Sequence, residues 1–239
     1  MNISVCMAAY NGEAYIEEQI TSIIKQLNES DELIIYDDVS TDNTSEIIKT
    51  FSIDRRVKYF RGLNNLGVIR AFDNALSVCV NEVIVLSDQD DIWIDGKIEY
   101  IRKIFKNNEV SALLHNALIF EEDGKVIKKF YEFPLDVKQI NIWKLLIKNK
   151  VIGCCFAFRR DILNNALPIP RFVSMHDWWL ASVAFTSGKV LYTDQVFIKY
   201  RRHQNNVSVM KRQGLIKIIS SRIMNAIALL ILQYRISKK

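Results

Sequence analysis

The sequence predicts an α/β fold: a mostly parallel central sheet with helices on both faces, followed by a basic amphipathic C-terminal helix. Three observations carry this. Short apolar runs alternate with amphipathic stretches of helical period through the first half. Two of those runs break off in aspartate clusters, Asp37-Asp38 and Asp88-Gln89-Asp90-Asp91, at the strand ends where such sheets bind ligands. With 49% hydrophobic and 25% charged residues over 239 positions, and only 8 Gly and 3 Pro, the chain can fill a core and is neither disordered nor linker-rich.

Ile3 to Ala9 reads as the first strand, stopped by Tyr10-Asn11-Gly12. Ile16, Ile20, Ile23, Ile24 and Leu27 fall at helix spacing. Leu33 to Tyr36 is the next strand, and Ser40, Thr41 and Asp42 can cap a helix carrying Ile47, Ile48 and Phe51. Val57 to Phe60 is a third strand, and Ile69, Phe72, Leu76 and Val80 mark a third helix. Val83 to Leu86 is a fourth strand, followed by a helix with Ile98, Ile101, Ile104 and Phe105. Further on, Ala112 to Phe120 is a strand with a hairpin turn at Glu122 to Lys125, and Ile140 to Lys148 is helical. Phe156 to Phe158 is a short strand, Asp177 to Ser187 a helix, and strands lie near Val190 to Tyr192 and Phe197 to Arg201. The last helix places Leu215, Ile218, Ile219, Ile223, Ile227, Leu230 and Tyr234 at helical spacing.

Several function classes fall away. No apolar run exceeds Ala226 to Leu232, far short of the roughly 20 residues of a spanning helix. The start Met1 to Ser4 does not read as a signal peptide. Cys6, Cys79, Cys154 and Cys155 form no CxxC pair, which argues for a reduced, cytoplasmic protein without a zinc site. Neither GxGxxG nor GxxxxGK[ST] occurs, so a Rossmann dinucleotide site and a P-loop are unsupported. The net charge is +5, yet residues 195 to 239 hold ten basic and no acidic side chains, leaving −5 for the rest. A basic end on a slightly acidic body suits an anionic partner, whether nucleic acid, diphosphate or acidic lipid.

Five constellations can carry chemistry. In Ser87-Asp88-Gln89-Asp90-Asp91-Ile92-Trp93, alternation along a continuing strand would turn Asp88 and Asp90 the same way, which suits a hard divalent cation better than capping does. In Asp37-Asp38-Val39-Ser40-Thr41-Asp42, either Asp37 or Asp38 can contact a nucleoside, while Ser40 or Asp42 can simply cap. Asn64-Asn65-Leu66-Gly67, with Arg70 and Asn74, is a turn into a helix. Met175-His176-Asp177-Trp178-Trp179 sets a carboxylate beside an imidazole and two indoles, either a helix cap or a general base next to a sugar-stacking wall. Tyr200-Arg201-Arg202-His203 joins guanidinium forks to a possible metal ligand, or is a solvated turn.

In this order, the five motifs resemble family 2 glycosyltransferases of GT-A fold, a Rossmann-like mixed sheet, over residues 1 to 209. Val5 to Asn11 is similar to the family's first strand. Asp37 to Thr44 looks like its DDGS-type nucleotide motif, with Val39 where Gly is commoner. Asn65-Leu66-Gly67 with Asn74 resembles its NxG…N segment. Ser87 to Trp93 resembles the metal-binding DxD motif in the SDQDDIW form of bacterial rhamnosyltransferase-like members. His176 to Trp179 matches where that subgroup carries its base, and Tyr200 to His203 resembles its YRxH segment.

The resemblance implies an inverting, metal-dependent transfer of one sugar, rhamnose among the candidates, in bacterial surface polysaccharide synthesis. The donor would be a UDP- or dTDP-linked sugar, the acceptor a glycan or lipid-linked molecule, and nucleic acid no partner. Asp177 would be the base. Asp88, Asp90 and His203 would hold Mg2+ or Mn2+. Ala9, Tyr10, Asn11, Asp37, Asp38, Asn65, Gly67, Arg70, Asp88, Gln89, Asp90 and Arg202 would bind the nucleotide sugar, and Asp91, Trp93, His176, Trp178 and Trp179 would face the acceptor. Residues 1–110 would form the donor half and 111–209 the acceptor half; beyond the resemblance, the basic amphipathic pattern of 210–239 suits a helix that lies peripherally on the inner, anionic membrane face or packs on the domain or a partner subunit. No QxxRW segment marks a processive synthase. The rival readings are a sugar nucleotidyltransferase, which needs a glycine-rich basic loop that Ala8 to Gly12 does not supply, and a catalytically silent sugar-nucleotide-binding subunit.

Overall fold

The structure is a computed structural model and describes residues 1–121, 124–131, 142–147, 149–203 and 214–238. The first half winds as β1 (Ile3–Ala9), α1 (Ile16–Ile24), β2 (Glu32–Asp37), α2 (Thr44–Phe51), β3 (Val57–Arg61), α3 (Val68–Ser77), β4 (Val83–Ser87), β5 (Ile92–Trp93) and α4 (Lys97–Phe105). The second half gives β6 (Val110–Glu121), β7 (Val126–Lys129), α5 (Ile142–Ile147), a 3-10 turn Gly153–Cys155, β8 (Phe156–Arg159), α6 (Leu163–Ala166), α7 (His176–Ser187), β9 (Lys189–Arg202) and α8 (Leu215–Ser237).

Among the described residues these strands form one nine-stranded sheet in the order β3-β2-β1-β4-β8-β6-β9-β5, with β7 on β6. The β3-β2-β1-β4 half is parallel, whereas β8 runs antiparallel to β4 and β6, and β5 antiparallel to β9. The sheet is therefore mixed. Its inner parallel strands β1, β2 and β4 read as apolar runs because both of their faces are covered, whereas the edge strand β3 is largely exposed. Ile3, Val5, Met7, Leu33 and Val85 pack with α1 on one side, while Cys6, Ile34, Ile84 and Leu86 pack with α3 and α7 on the other. Each such side chain contributes about 1.5–3 kcal/mol on burial.

Three expectations need correction. The two late strands are one, β9, whose register shifts against β6 conceal the continuity. The strand after Leu86 does not continue through the aspartates: β4 ends at Ser87 and the chain bends at Gln89 and Asp90 before two residues re-enter as β5. That bend separates Asp88 from Asp90. Finally, α7 is enclosed from His176 through Ala184, with β6, β9, α3, α5, α6 and α8 around it. A helix apolar all round belongs inside a protein.

The β6–β7 hairpin forms as expected, although Glu122 and Asp123 of its turn lie outside the described residues, as do Ile140, Asn141 and Lys148 of the expected helix. The 209/210 boundary, Lys211, Arg212 and Lys239 also lie outside them.

Candidate active site

The carboxyl ends of β1, β2 and β4 open onto a cavity of about 600 Å³, whose far wall is the start of α7 and whose rim includes the end of β9. Ala9, Tyr10 and Asn11 after β1 line it. Asn11 takes a left-handed conformation (φ 48°), which Asn tolerates, and its Oδ1 accepts from Thr41 N at 2.8 Å. Gln89 lines the cavity too, but its amide is spent on a two-way clasp with the Tyr10 backbone, at 2.8 and 3.0 Å. Its role is to hold the loop.

The two acidic residues after β2 part company. Asp37 is fully buried and absent from the cavity lining. It accepts from Ser40 N (2.7 Å), Ser45 Oγ (2.5 Å) and Tyr59 OH (3.0 Å). Burial alone would raise its pKa, but these hydrogen bonds outweigh it and hold the carboxyl below its ordinary range. Asp38 does line the cavity, and it accepts from Leu66 N and Gly67 N, at 2.9 and 2.7 Å, which folds the Asn65–Gly67 loop against β2. Gly67 has φ +81°, a conformation that favours glycine, and starts α3 there. Asn65 also lines the cavity and donates to Asp38 O. Arg70 does not reach it, because an i,i+3 ion pair with Asp73 at 2.5 Å holds its guanidinium along α3.

The acidic centre comes from the bend after β4. Asp88 and Asp90 line the cavity, and His203 Nε2 lies 2.7 Å from Asp90 Oδ2. The strand ends thus bring Asp90 and His203 together across 113 positions. Asp88 instead groups with Asp91 and Cys154, whose ligand atoms lie within 4.8 Å of one another. Burial, then the Asp90 and Asp177 charges, push Asp88 up to about 7, and burial likewise raises Asp91. Asp91 is fully buried behind the cavity, accepting from Arg201 N, so it does not face an acceptor.

Arg201, rather than Arg202, buttresses this bend. Its Nε donates to Asp90 O at 3.0 Å and its Nη2 pairs with Glu18 at 2.6 Å, while the guanidinium packs over Tyr15 and Phe120. Arg202 stacks on Tyr200 and is outside the lining. Beneath the cluster, Lys97 is fully buried, donates to Cys154 O at 3.1 Å and sits 3.9 Å over the Trp93 ring. Trp93 is therefore part of the floor, not of an acceptor wall.

Asp177 opens α7 and lines the cavity with His176. Burial pushes Asp177 up to about 6, against hydrogen bonds from Trp178 N (2.5 Å) and Asn149 Nδ2 (3.2 Å). Trp178 and Trp179 do not form the expected stacking wall. On an enclosed helix, consecutive residues both point into core: Trp178 Nε1 donates to Leu145 O and Trp179 Nε1 to Ala166 O.

Sequence reasoning missed Phe72, Gly153, Tyr15 and Ile152, which line the cavity beside Ala8, Val68, Ala71, Met175 and Tyr200, and the supporting Lys97, Cys154 and Asn149. Gly153, one of 8 glycines, stands in an otherwise apolar run and was the visible signal.

Four aspartates, Asp38, Asp88, Asp90 and Asp177, line this cavity, with no Lys or Arg among its described lining residues. Such a surface repels an anionic ligand unless a cation intervenes, and the oxygen-rich donor set with one imidazole fits a hard divalent ion.

The sequence matches the family model described as Glycosyl transferase family 2 over residues 4–167. It is 30% identical over 211 residues to the Escherichia coli UDP-Glc:alpha-D-GlcNAc-diphosphoundecaprenol beta-1,3-glucosyltransferase WfgD, covering 87% of this chain and 80% of that protein. To the Shigella flexneri dTDP-rhamnosyl transferase RfbG it is 29% identical over 219 residues, covering 84% and 72%. The structure superposes on S. aureus TarS 1-349 in complex with UDP-GlcNAc with TM-score 0.75 at 18% identity, over 96% of this chain and 67% of that one. Across three structures of that fragment the chain spans 60–67% of its length. The Pyrobaculum calidifontis mannosyltransferase PcManGT with GDP-Man and Mn2+ gives TM-score 0.67 at 17% identity, over 99% and 74%. These likenesses show the GT-A fold.

Proposed function

The chain belongs to glycosyl transferase family 2 and is a glycosyltransferase, and from that premise we propose that it moves one sugar from a nucleoside-diphosphate donor to a glycan or lipid-linked acceptor, by a single inverting displacement that needs a divalent cation. The observation that carries this reading is the convergence of Asp88 and Asp90 from the bend after β4, His203 from just past β9 and Asp177 from α7 on one cavity that holds no Lys or Arg among its described lining residues. The names of WfgD and RfbG support UDP- or dTDP-linked sugars, glucose or rhamnose, as donors, and WfgD's name supports a diphospholipid-linked acceptor in bacterial polysaccharide synthesis.

Asp88, Asp90 and His203 are the residues proposed to hold Mg2+ or Mn2+, which when bound would stabilise the charge of the departing diphosphate. Asp38, Asn65 and Gly67 fix the loop that would border the nucleoside, and Tyr10 and Asn11 the facing edge. Asp177 would take the proton of the attacking acceptor hydroxyl. A base with a pKa near 6 is ionised at neutral pH yet basic enough for that transfer. Asn149 and Trp178 N, both on one carboxylate oxygen, orient it.

A lipid-linked acceptor brings the enzyme to a membrane, and the outer face of α8 supports contact there. Ile219, Ile223, Ile227, Leu230 and Tyr234 are exposed along it, with Arg222 alongside, and Trp143 and Ile147 of α5 are exposed nearby. Among the described residues no helix is long and apolar enough to cross a membrane. The test is transfer from a panel of nucleotide sugars to a lipid-diphosphate sugar acceptor, with manganese and with chelator. Sugar transfer only with the cation supports the proposal; donor hydrolysis or transfer indifferent to chelator refutes the metal-dependent form.

A further inference from the structure

We propose that the imidazole of His176 hydrogen-bonds a hydroxyl of the sugar being transferred, and so helps set which sugar the cavity accepts. The inference rests on the glycosyl-transfer reading above and adds to it the residue that recognises the sugar itself.

His176 lines the cavity yet is only 3% exposed, and among the described residues neither Nδ1 nor Nε2 has a hydrogen-bond partner. A buried polar side chain left unpaired costs about 1–3 kcal/mol, so protein interiors rarely keep one without a use. The ring is held by its neighbours. It stacks on Phe72 with centroids 3.8 Å apart and planes 17° from parallel. Behind it the backbone of Gly153 leaves the needed room, since a Cβ there would meet Nε2 at 3.2 Å. Apolar packing holds the ring in the cavity wall with both nitrogens unpartnered and closed to solvent, so a small turn of the ring presents one of them to a bound hydroxyl.

The chemistry of the edge selects the ligand. Burial holds the imidazole neutral, with its pKa lowered to about 3. A neutral imidazole offers one N–H donor and one lone pair, which matches hydroxyl groups, themselves donors and acceptors. It has no charge to offer a phosphate, which leaves the diphosphate to the Asp88, Asp90 and His203 end of the cavity. His176 is adjacent to Asp177, so a sugar positioned for attack at its anomeric carbon would have its ring hydroxyls within this wall. A desolvated donor–acceptor pair rejects a sugar that leaves it unpaired.

The test uses the full chain with His176→Phe and His176→Gln. Phe keeps the stacked ring and deletes only the nitrogens; Gln restores a donor and an acceptor. Affinities are measured calorimetrically with Mg2+ for UDP-glucose, UDP-GlcNAc and dTDP-rhamnose, and for UDP and dTDP alone. Expected for H176F is a Tm equal to or above wild type, unchanged affinity for the bare nucleotide, and a loss of about tenfold or more for the cognate sugar nucleotide, partly recovered in H176Q. Because the chain has three histidines, ring nitrogen resonances of 15N-labelled protein give a second readout. The His176 signal should move with the sugar nucleotide and stay still with the nucleotide. Unchanged sugar affinity in H176F, an unmoved His176 signal, or a lowered Tm with loss of nucleotide and sugar nucleotide alike overturns the proposal. If nucleotide sugars bind wild type no more tightly than inorganic diphosphate, the glycosyl-transfer reading fails, and this inference with it.

Discussion

Asp177 combines burial with a proposed role as base that needs its charge, and the two pull against each other. Its folded pKa, about 6, lies above the ordinary 3.8 of an unfolded chain, so the native state holds a proton that the unfolded state releases between those values. Stability from this group is present below pH 4 and lost as pH rises through 6. The rate runs the opposite way, because only the ionised carboxylate accepts a proton. Transfer should climb tenfold per pH unit below about 6 and level off above it. Asp177→Asn should reduce transfer by about 10²–10⁴-fold while raising Tm at pH 8, and unchanged transfer would dismiss Asp177 as the base. Val39 shows a second local conflict. It stands at φ +66°, where the resembling family commonly has Gly. A β-branched residue there costs about 1–3 kcal/mol, only partly offset by the entropy that glycine loses on folding. Val39→Gly should therefore stabilise the protein by about 1 kcal/mol in urea denaturation. At this scale the sequence was informative about which carboxylates matter and silent about their partition. Asp37 and Asp38 are adjacent and alike in the sequence, but strand pleat sends one into Ser45 and Tyr59 and the other into the cavity.

The helices repeat this lesson one level up. Periodicity located α1 and α3 to within about three residues, since apolar spacing is a local property, whereas α7, apolar all round, carries no such period. What surrounds a helix is not local. Two tryptophans after an aspartate can make a sugar wall or core, and only the enclosure of α7 by six elements decides for core. Trp178→Ala should cost about 3–5 kcal/mol by chemical denaturation, as a cavity in packed core does and an exposed wall would not. Helix α8 has a buried face and an exposed one. Asn225, Ala228 and Leu232 are buried against the domain, and Arg235 donates to Asn165 O, Ala166 O and Pro168 O beneath Trp179. Arg235 is thus a structural clamp, not a charge offered to lipid. Removing α8 would uncover core, so point changes on the outer face are the informative ones. Ile223→Glu with Leu230→Glu should leave Tm within a degree or so, as surface changes usually do, and release the protein from phosphatidylglycerol vesicles in co-sedimentation. Retained binding would exclude the outer face as the contact.

For the molecule as a whole, the parallel half of the sheet was legible because a strand covered on both faces must be apolar throughout, and aspartates can follow only where it leaves the core. The antiparallel strands were less so: β5 is two residues long, and the register shifts of β9 imitate a break. The support beneath the site, Cys154 accepting from Lys97 and lying beside Asp88 and Asp91, brings together residues 57 or more positions apart and had no signature along the chain. What these pieces assemble is a cavity lined by four aspartates, proposed to admit an anionic donor only together with a cation, and this proposal is the central claim. It is tested most directly by thermal unfolding of wild type and Asp90→Ala against UDP-, dTDP- and GDP-sugars, with Mn2+ or with chelator. At a hundredfold excess over Kd the cognate donor should raise the wild-type Tm by about 5–10 °C, only with Mn2+, and should leave Asp90→Ala unmoved. Equal stabilisation in chelator, or an undiminished shift in Asp90→Ala, would contradict the account.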